Sequence, residues 1–144
     1  MLVEQLMPIA RKRLIVLGVD AIIADAAVAM ARPQADLVIV CQHSAIAGVV
    51  TKSDLVGLLS KPAPDGLRPI TDIMSRNVIA CSAGERLIDV WCTMNARCVQ
   101  RIPVLHGRTP TGVIYARDAL QALLRDAQHE DEALRAYVQG VGYH

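Results

Sequence analysis

An internal repeat constrains the fold of this chain more than any other feature of its sequence. Shifting the sequence by 64 residues places 14–60 on 78–124 without a gap, so that Gly48 falls on Gly112. The apolar positions coincide as well, and no insertion is needed anywhere in the alignment. The chain therefore contains two copies of one structural unit.

Each copy is predicted to fold as strand, helix, strand, strand and helix. The expected strands are short apolar runs at 14–17, 37–41 and 46–51 in the first copy and at 78–81, 101–105 and 112–115 in the second. Apolar residues at three- and four-residue spacing predict the first helix of each copy: Ile23, Ala26, Ala27 and Met30, then Leu87, Val90, Trp91 and Met94.

Local signals predict where helices and turns begin. Asp20 and the segment 82–85 are expected helix-start signals, and the closing helices are expected from Ser53 and Arg117. The turn between the last two strands is predicted at His43 and Ser44 in the first copy and at 107–110 in the second.

The expected organisation is a first repeat at 1–60, a linker at 61–69, a second repeat at 70–125, and an extended C-terminal helix with a tail at 126–144. The linker contains three prolines and a glycine, and the last helix is expected to end near Gly140. One unit is too small to bury both faces of its sheet, so the two copies should pack together. The predicted fold class is α/β (α+β), with two tandem βαββα repeats about a pseudo-two-fold axis and clefts between them.

Composition excludes several classes of function. The net charge is only +1 and the chain has no Phe, so neither a basic field nor stacking aromatics for nucleic acid is expected, although Arg11-Lys12-Arg13 leaves that alternative open. The most apolar run, 14–30, carries Asp20 and Asp25, which argues against a membrane span.

The cysteines and histidines do not form a metal motif. The four cysteines include no CxxC pair and have no histidine at a metal-finger spacing, so they are expected to be buried, reduced structural residues, as in a cytoplasmic protein. The sequence also contains no Gly-rich phosphate loop, nucleophile elbow or zinc helix signature. We therefore predict no metal, no required cofactor and no enzymatic activity.

The most specific motif lies before the closing helix of each copy. It reads Gly-Val-Val-Thr-Lys-Ser-Asp at 48–54 and Gly-Val-Ile-Tyr-Ala-Arg-Asp at 112–118. Ile73-Met74 precedes the second copy, Leu6-Met7 precedes the first, and Arg-Ile-Pro-Val stands at 101–104. Over 6–125 this set resembles the cystathionine-β-synthase (CBS) domain pair, also called a Bateman module.

The resemblance implies a first cleft that binds an adenosine-containing ligand: AMP, ADP, ATP or S-adenosylmethionine. An ionised aspartate accepts hydrogen bonds from both ribose hydroxyls, hydroxyl groups and helix-start amides contact phosphate, aliphatic residues sandwich adenine, and arginine contacts phosphate. Carried over residue by residue, these roles fall on Thr51, Ser53, Asp54, Val78, Ile79 and Arg101.

The symmetric second cleft would use Leu14, Ile15, Tyr115, Arg117 and Asp118. Tyr replaces the hydroxyl residue there, and the first copy has Asp36-Leu37 where the second has Gln-Arg. Asp36 is expected to repel a phosphate, so the second cleft is expected to be degenerate or tuned to a less anionic ligand. Arg13 or Lys12 could compensate for that charge.

The expected function is a regulatory sensor that transmits ligand occupancy to an effector protein. The resemblance also implies a homodimer through the last helices of each repeat, with Leu120, Leu123 and Leu124 available for contact. Two alternatives remain open at this point. Thr51 and Asp54 could only cap a helix, and the protein could be a scaffold module with degenerate clefts that bind nothing.

Overall fold

The computed structural model describes residues 1–142, and the side chains of residues 1–139. Positions 143–144, which belong to the predicted tail, lie outside this range. The helices are α1 Met7–Lys12, α2 Ile23–Ala29, α3 Lys52–Leu59, α4 Leu87–Ala96 and α5 Ala116–Gly142, with 3-10 helices at Val3–Leu6 and Ile70–Asp72. The strands are β1 Val16–Gly18, β2 Leu37–Gln42, β3 Ala45–Thr51, β4 Arg101–His106 and β5 Thr109–Tyr115.

The second half of each copy repeats with the spacing that the sequence predicts. β2 and β4, β3 and β5, and the starts of α3 and α5 all differ by 64 positions. Both hairpins are antiparallel, and both carry a register shift at the same place, after Val40 and after Val104. His43 and Ser44 form a two-residue turn with positive φ at both positions, which is the conformation of a type I′ hairpin turn.

The first strand is where the two copies differ. β1 pairs in parallel with β2, giving a three-stranded sheet in the order β1-β2-β3. The strand predicted at 78–81 is reduced to one parallel bridge, in which Cys81 pairs with Val104. That part of the prediction is wrong, because the backbone of 78–80 is not taken up by a second sheet and stays beside the cleft.

In the first half of each copy, the residues predicted to start the helix lie a few positions before its first residue. α2 begins at Ile23, three residues after Asp20, and Asp25 instead bonds the amide of Ile22 at 3.0 Å. The segment before α4 folds back similarly, with the Ser82 amide donating to Glu85 at 2.6 Å. Each acidic side chain therefore satisfies a backbone amide near the helix start.

The segment that precedes each copy packs on the other copy. Val3 donates its amide to the carbonyl of Glu85, and Ile70 donates its amide to the carbonyl of Ala21. Val3 and Ile70 are both fully buried, a burial that contributes about 1.5–3 kcal/mol per side chain. This reciprocal exchange joins the copies into one unit, which confirms the predicted pairing.

The motif glycines mark where these exchanged segments cross the sheets. A Cβ atom on Gly48 would lie 2.7 Å from the carbonyl oxygen of Ser75. A Cβ atom on Gly112 would lie 3.1 Å from the carbonyl oxygen of Ala10. The repeated glycine is therefore required by close backbone approach.

Three apolar clusters fill the interior. One belongs to each copy with its exchanged segment, and the third lies between the copies, where Leu37, Ile39 and Cys41 meet Val113 and Tyr115. The alternation along β2 sends every second side chain into this shared layer. The clefts lie at the edges of that layer.

Burial separates the cysteines into two classes. Cys41 and Cys81 are buried as predicted, whereas Cys92 and Cys98 are exposed, which corrects the expectation for those two. Burial and, to a smaller extent, the charge of Glu85 raise the pKa of the Cys81 thiol to about 12.

Candidate functional site

A cavity of about 230 Å³ lies between the two copies, at the first cleft. Residues from β2, β3, the start of α3, the approach to Cys81 and β4 contribute to it. Its lining is Leu37, Val49, Thr51, Asp54, Ser75, Asn77, Val78, Ile79, Val99, Arg101 and Pro103.

Five of the six residues predicted for the first cleft line this cavity. Thr51 and Asp54 come from the first copy, and Val78, Ile79 and Arg101 come from the second. The structure thus brings them together from positions up to 50 residues apart in sequence (101 minus 51). Ser53, the sixth, instead lines a neighbouring depression with Gly57 and Lys61.

The start of α3 fixes the two polar side chains of the first copy. Thr51 is the N-cap residue, and its hydroxyl oxygen accepts from the amide of Asp54 at 3.3 Å. Oδ2 of Asp54 accepts from the Thr51 amide at 2.8 Å and from the Thr51 hydroxyl at 3.1 Å. Both residues therefore cap the helix, as the alternative interpretation holds, and both also line the cavity.

The apolar wall of the cavity follows from the second copy's shortened first strand. Val78 and Ile79 lie just before the bridge at Cys81, opposite Val49 of β3. Ser75 and Asn77, which sequence reasoning did not identify, supply polar atoms beside them. Both residues follow Ile73-Met74, the opening of the second repeat, and that motif is the sequence signal that could have identified them. Ser75 pairs with Val49 through two backbone hydrogen bonds of 2.9 Å, which places this segment against β3.

Arg101 reaches the cavity already paired with a carboxylate. Its Nη2 donates to Oδ2 of Asp36 at 2.6 Å, and Lys52 approaches the other oxygen of Asp36 at 3.1 Å. Partial burial acts to raise the pKa of Asp36, but the hydrogen bonds and positive charges of Lys52 and Arg101 outweigh it and lower that pKa. Asp36 was expected to repel phosphate from the second cleft, yet its partners belong to the first.

The second cleft is crossed by an ion pair. Arg13 binds Asp118 with both prongs, Nε to Oδ2 at 3.1 Å and Nη2 to Oδ1 at 3.2 Å. Its remaining nitrogen donates to the Gln34 side chain at 2.8 Å. The carboxylate that corresponds to Asp54 is therefore held by a cation of the chain itself.

Tyr115 fills the space that the hydroxyl residue leaves open in the first copy. It is buried, its hydroxyl donates to the carbonyl oxygen of Gln34 at 2.8 Å, and it accepts from the amide of Asp36 at 3.3 Å. The guanidinium groups of Arg13, Arg117 and Arg101 lie 4.5, 5.3 and 5.4 Å from the centre of its ring. Such contacts stabilise both ring and cations.

Leu14 and Ile15, which were also predicted for the second cleft, lie beside this cluster. They line a depression of about 120 Å³ together with Arg13 and Gln34, and neither Tyr115 nor Asp118 contributes to that lining. Another cavity, of about 410 Å³, lies elsewhere, between α4 and α5 beside Trp91. Trp91, one of the apolar residues whose spacing predicts α4, is only partly buried against the core.

The residues that the structure describes contain no group of three or more histidine, cysteine or acidic side chains that could hold a metal ion. None of the described helices combines the length and apolar character needed to cross a bilayer.

The second copy of the repeat matches a known protein family. The CBS domain family matches residues 70–125. No curated protein sequence matched the chain.

Solved structures match nearly the whole chain. A CBS-domain protein, ATU1752 from Agrobacterium tumefaciens, is 22% identical with a TM-score of 0.72, over 85% of this chain and 98% of that one. The CBS domain pair of protein MJ0100, solved with 5-methylthioadenosine and S-adenosyl-L-methionine, is 22% identical with a TM-score of 0.73, over 88% and 98%. CBSX2, solved with AMP, is 19% identical with a TM-score of 0.74, over 88% and 98%. These similarities establish the fold.

Proposed function

We propose that the protein is a regulatory module that binds an adenosine-containing ligand in the first cleft. The premise is that residues 70–125 match the CBS domain family and that the chain has the fold of a CBS-domain pair. CBS-domain proteins are generally regulatory rather than catalytic. Proteins of the same fold have been solved with AMP and with S-adenosyl-L-methionine, which supports the choice of ligand class.

The observation that carries the proposal is the composition of the central cavity. One carboxylate, one guanidinium, two hydroxyl groups and five aliphatic side chains are among the groups that line the same space, and they come from both copies. An adenosine ligand needs an acceptor for its ribose diol and apolar contacts for its base. Asp54 supplies the acceptor, and Val78 with Ile79 supplies the apolar contact.

The capping role of Asp54 is compatible with a role in binding. All the hydrogen bonds that the described chain makes to this carboxylate go to Oδ2, so Oδ1 remains available for a ribose hydroxyl. The cap also fixes the carboxylate before the ligand arrives, which reduces the entropy lost on binding.

We expect one strong site per chain and a modest affinity. The Arg13–Asp118 ion pair occupies the second cleft, so its carboxylate is engaged. At about −0.3 kcal/mol per atom, a ligand of about 23 heavy atoms reaches about −7 kcal/mol, a micromolar dissociation constant. That range suits a sensor of an abundant adenosine-containing metabolite.

Occupancy is transmitted to a partner by a difference in affinity between two arrangements of the copies, typically worth about 1–3 kcal/mol. The partner surface that we propose is a second copy of the chain, joined through the closing helices. Leu59 of α3 and Leu124 of α5 expose 69% and 57% of their surface there. Light scattering that finds two chains per particle would support this arrangement, and a single chain would remove it.

Calorimetry with adenosine, AMP, ADP, ATP and S-adenosylmethionine tests the proposal. Asp54→Ala should abolish binding and also cost about 1 kcal/mol of stability through the lost cap. Asp54→Asn separates these effects, since its amide oxygen can still cap while the charged acceptor is gone. We expect it to weaken binding at least about 10-fold with little change in melting temperature.

Asp89→Asn is the matched control, because Asp89 is an exposed acid on α4 that pairs only with Arg86, at 3.9 Å. It should bind as the wild type does. If none of the five compounds gives heat or a thermal shift with the wild-type protein, the sensor proposal loses to the scaffold alternative. Equal affinity of the wild type and Asp54→Asn would show that the ribose contact is wrongly assigned.

A further inference from the structure

Arg101 is the only guanidinium in the lining of the first cleft, and its charge is already paired with a carboxylate. Its Nη2 is bonded to Asp36 at 2.6 Å, and its Nε is buried without a hydrogen-bond partner in the described chain. The side chain of Asp36 is only 18% exposed. A phosphate that enters the cavity must therefore compete with a carboxylate that the fold already holds against this arginine.

The carboxylate cannot easily move away. Lys52, at the start of α3, holds its second oxygen at 3.1 Å, and the backbone amide of Asp36 is bonded to the Tyr115 hydroxyl at 3.3 Å. The ring of Tyr115 lies 5.4 Å from the guanidinium of Arg101. Asp36, Arg101 and Tyr115 thus restrain one another on three sides.

The charges around the cavity balance. Asp54 and Arg101 line it. Asp36 is paired with Arg101, and Lys52 is paired with Asp36, so the four charges sum to zero. Without Asp36 the sum would be +1, and Arg101 would be open to an anion. The other charged pair of the interface, Arg13 with Asp118, is neutral in itself.

We propose that Asp36 sets the charge preference of the first cleft, so that it takes adenosine compounds without a phosphate in preference to adenine nucleotides. The inference rests on the proposed function and narrows its ligand class to neutral or cationic adenosine derivatives, such as nucleosides, thioethers and sulfonium compounds. A nucleotide loses affinity because its phosphate meets a pre-formed ion pair instead of an open guanidinium.

Calorimetric titration with adenosine and with AMP measures the preference directly. The wild-type protein should bind adenosine about 10-fold more tightly than AMP, because the phosphate of AMP loses water on entering the cleft and gains no open guanidinium in return. Asp36→Asn removes the competing charge at nearly constant shape, so it should raise AMP affinity at least about 10-fold and leave adenosine affinity unchanged.

A second variant moves the charge in the opposite direction. Lys52→Gln removes a half-exposed cation that offsets Asp36, and it should lower AMP affinity further while adenosine binding stays the same. Because Lys52 is half-exposed, its replacement should leave the fold intact. The charge preference can therefore still be tested with Lys52→Gln if Asp36→Asn does not fold. Asp89→Asn, which removes an exposed acid elsewhere, should leave both affinities and their ratio unchanged.

The outcomes separate the two levels of the argument. Adenosine binding with a ratio to AMP that shifts upward in one variant and downward in the other supports the inference. Tighter AMP binding by the wild type, or the same ratio in all proteins, overturns the inference and leaves the proposed function standing. If neither compound binds any of the proteins, the proposed function fails and the charge preference fails with it.

Discussion

Replacing Arg13 should destabilise the fold strongly, because its side chain holds the carboxylate of Asp118, a residue that is distant in sequence. Arg13 and Asp118 are 105 positions apart, and their side chains are only 19% and 10% exposed. Arg13→Ala leaves the Asp118 carboxylate without a cation in a place that water reaches poorly.

The size of the effect follows from that burial. Breaking a buried pair by removing one partner costs about 3–5 kcal/mol. Asp118 lies in the first turn of α5, where the helix amides offset about 0.3–1 kcal/mol of the loss. We therefore expect Arg13→Ala to lower the free energy of unfolding by about 2–5 kcal/mol.

A double-mutant cycle isolates the pair from the rest of the change. Urea unfolding of wild type, Arg13→Ala, Asp118→Ala and the double variant should give a coupling energy of about 2 kcal/mol. Arg68 and Asp72 form a comparable but exposed pair, with side chains 45% and 37% exposed. The same cycle there should give about 0–1 kcal/mol.

The reasoning would be refuted by equal coupling energies for the two pairs, or by an Arg13→Ala variant within about 0.5 kcal/mol of the wild type. Either result would mean that the ion pair does not hold the second cleft closed. The expectation of one ligand per chain would then have no physical basis.

Three further predictions follow from local geometry. Gly48→Ala should lower the free energy of unfolding in urea by about 1–3 kcal/mol, because the added Cβ meets a backbone carbonyl at 2.7 Å. Gly57→Ala, which has open space inside α3, should raise it by about 0.5–1 kcal/mol, and equal effects of the two variants would contradict the close approach. At pH 8 a thiol reagent should label Cys92 and spare Cys81, whose pKa is raised to about 12 by burial, until the protein unfolds; fast labelling of all four thiols would contradict this burial. Folding lowers the pKa of Asp36, so the contribution of this carboxylate to stability is present above the unfolded pKa of about 3.9 and is lost as pH falls through the folded pKa. The difference in unfolding free energy between the wild type and Asp36→Asn should therefore shrink toward pH 3. A difference that stays constant with pH would exclude this linkage.

The sequence predicts the repeated half of the fold closely, because local rules determine it. Apolar alternation and the spacing of 64 residues predicted both hairpins and the starts of both closing helices to within three residues. The Thr-Asp pair at 51 and 54 carries its own geometric requirement, because each side chain caps the same helix start. Such features depend on neighbours in the chain, so a sequence pattern is enough to find them.

The exchanged segments were only partly predictable. Leu6-Met7 and Ile73-Met74 were recognised as openings of a repeat, but nothing local indicates that each packs on the opposite copy. The strand expected at 78–81 failed for a related reason, since strand formation depends on whether a partner strand is near. Tertiary context decides such cases over local propensity.

The charge network at the interface was the least predictable part of the site. Asp36 was assigned to the second cleft because the repeat alignment placed it opposite Gln100. Its side chain instead meets Arg101 and Lys52, and Tyr115 joins the two clefts. Long side chains reach across an interface by several ångströms, and a linear alignment carries no information about their direction.

A crystal structure of the protein soaked with adenosine tests the central claim most directly. We predict electron density for one adenosine per chain, with a ribose hydroxyl within hydrogen-bond distance of Asp54 Oδ1 and the base against Val78 and Ile79. Adenosine bound only in the cavity between α4 and α5, or no density at saturating concentration, would contradict the account.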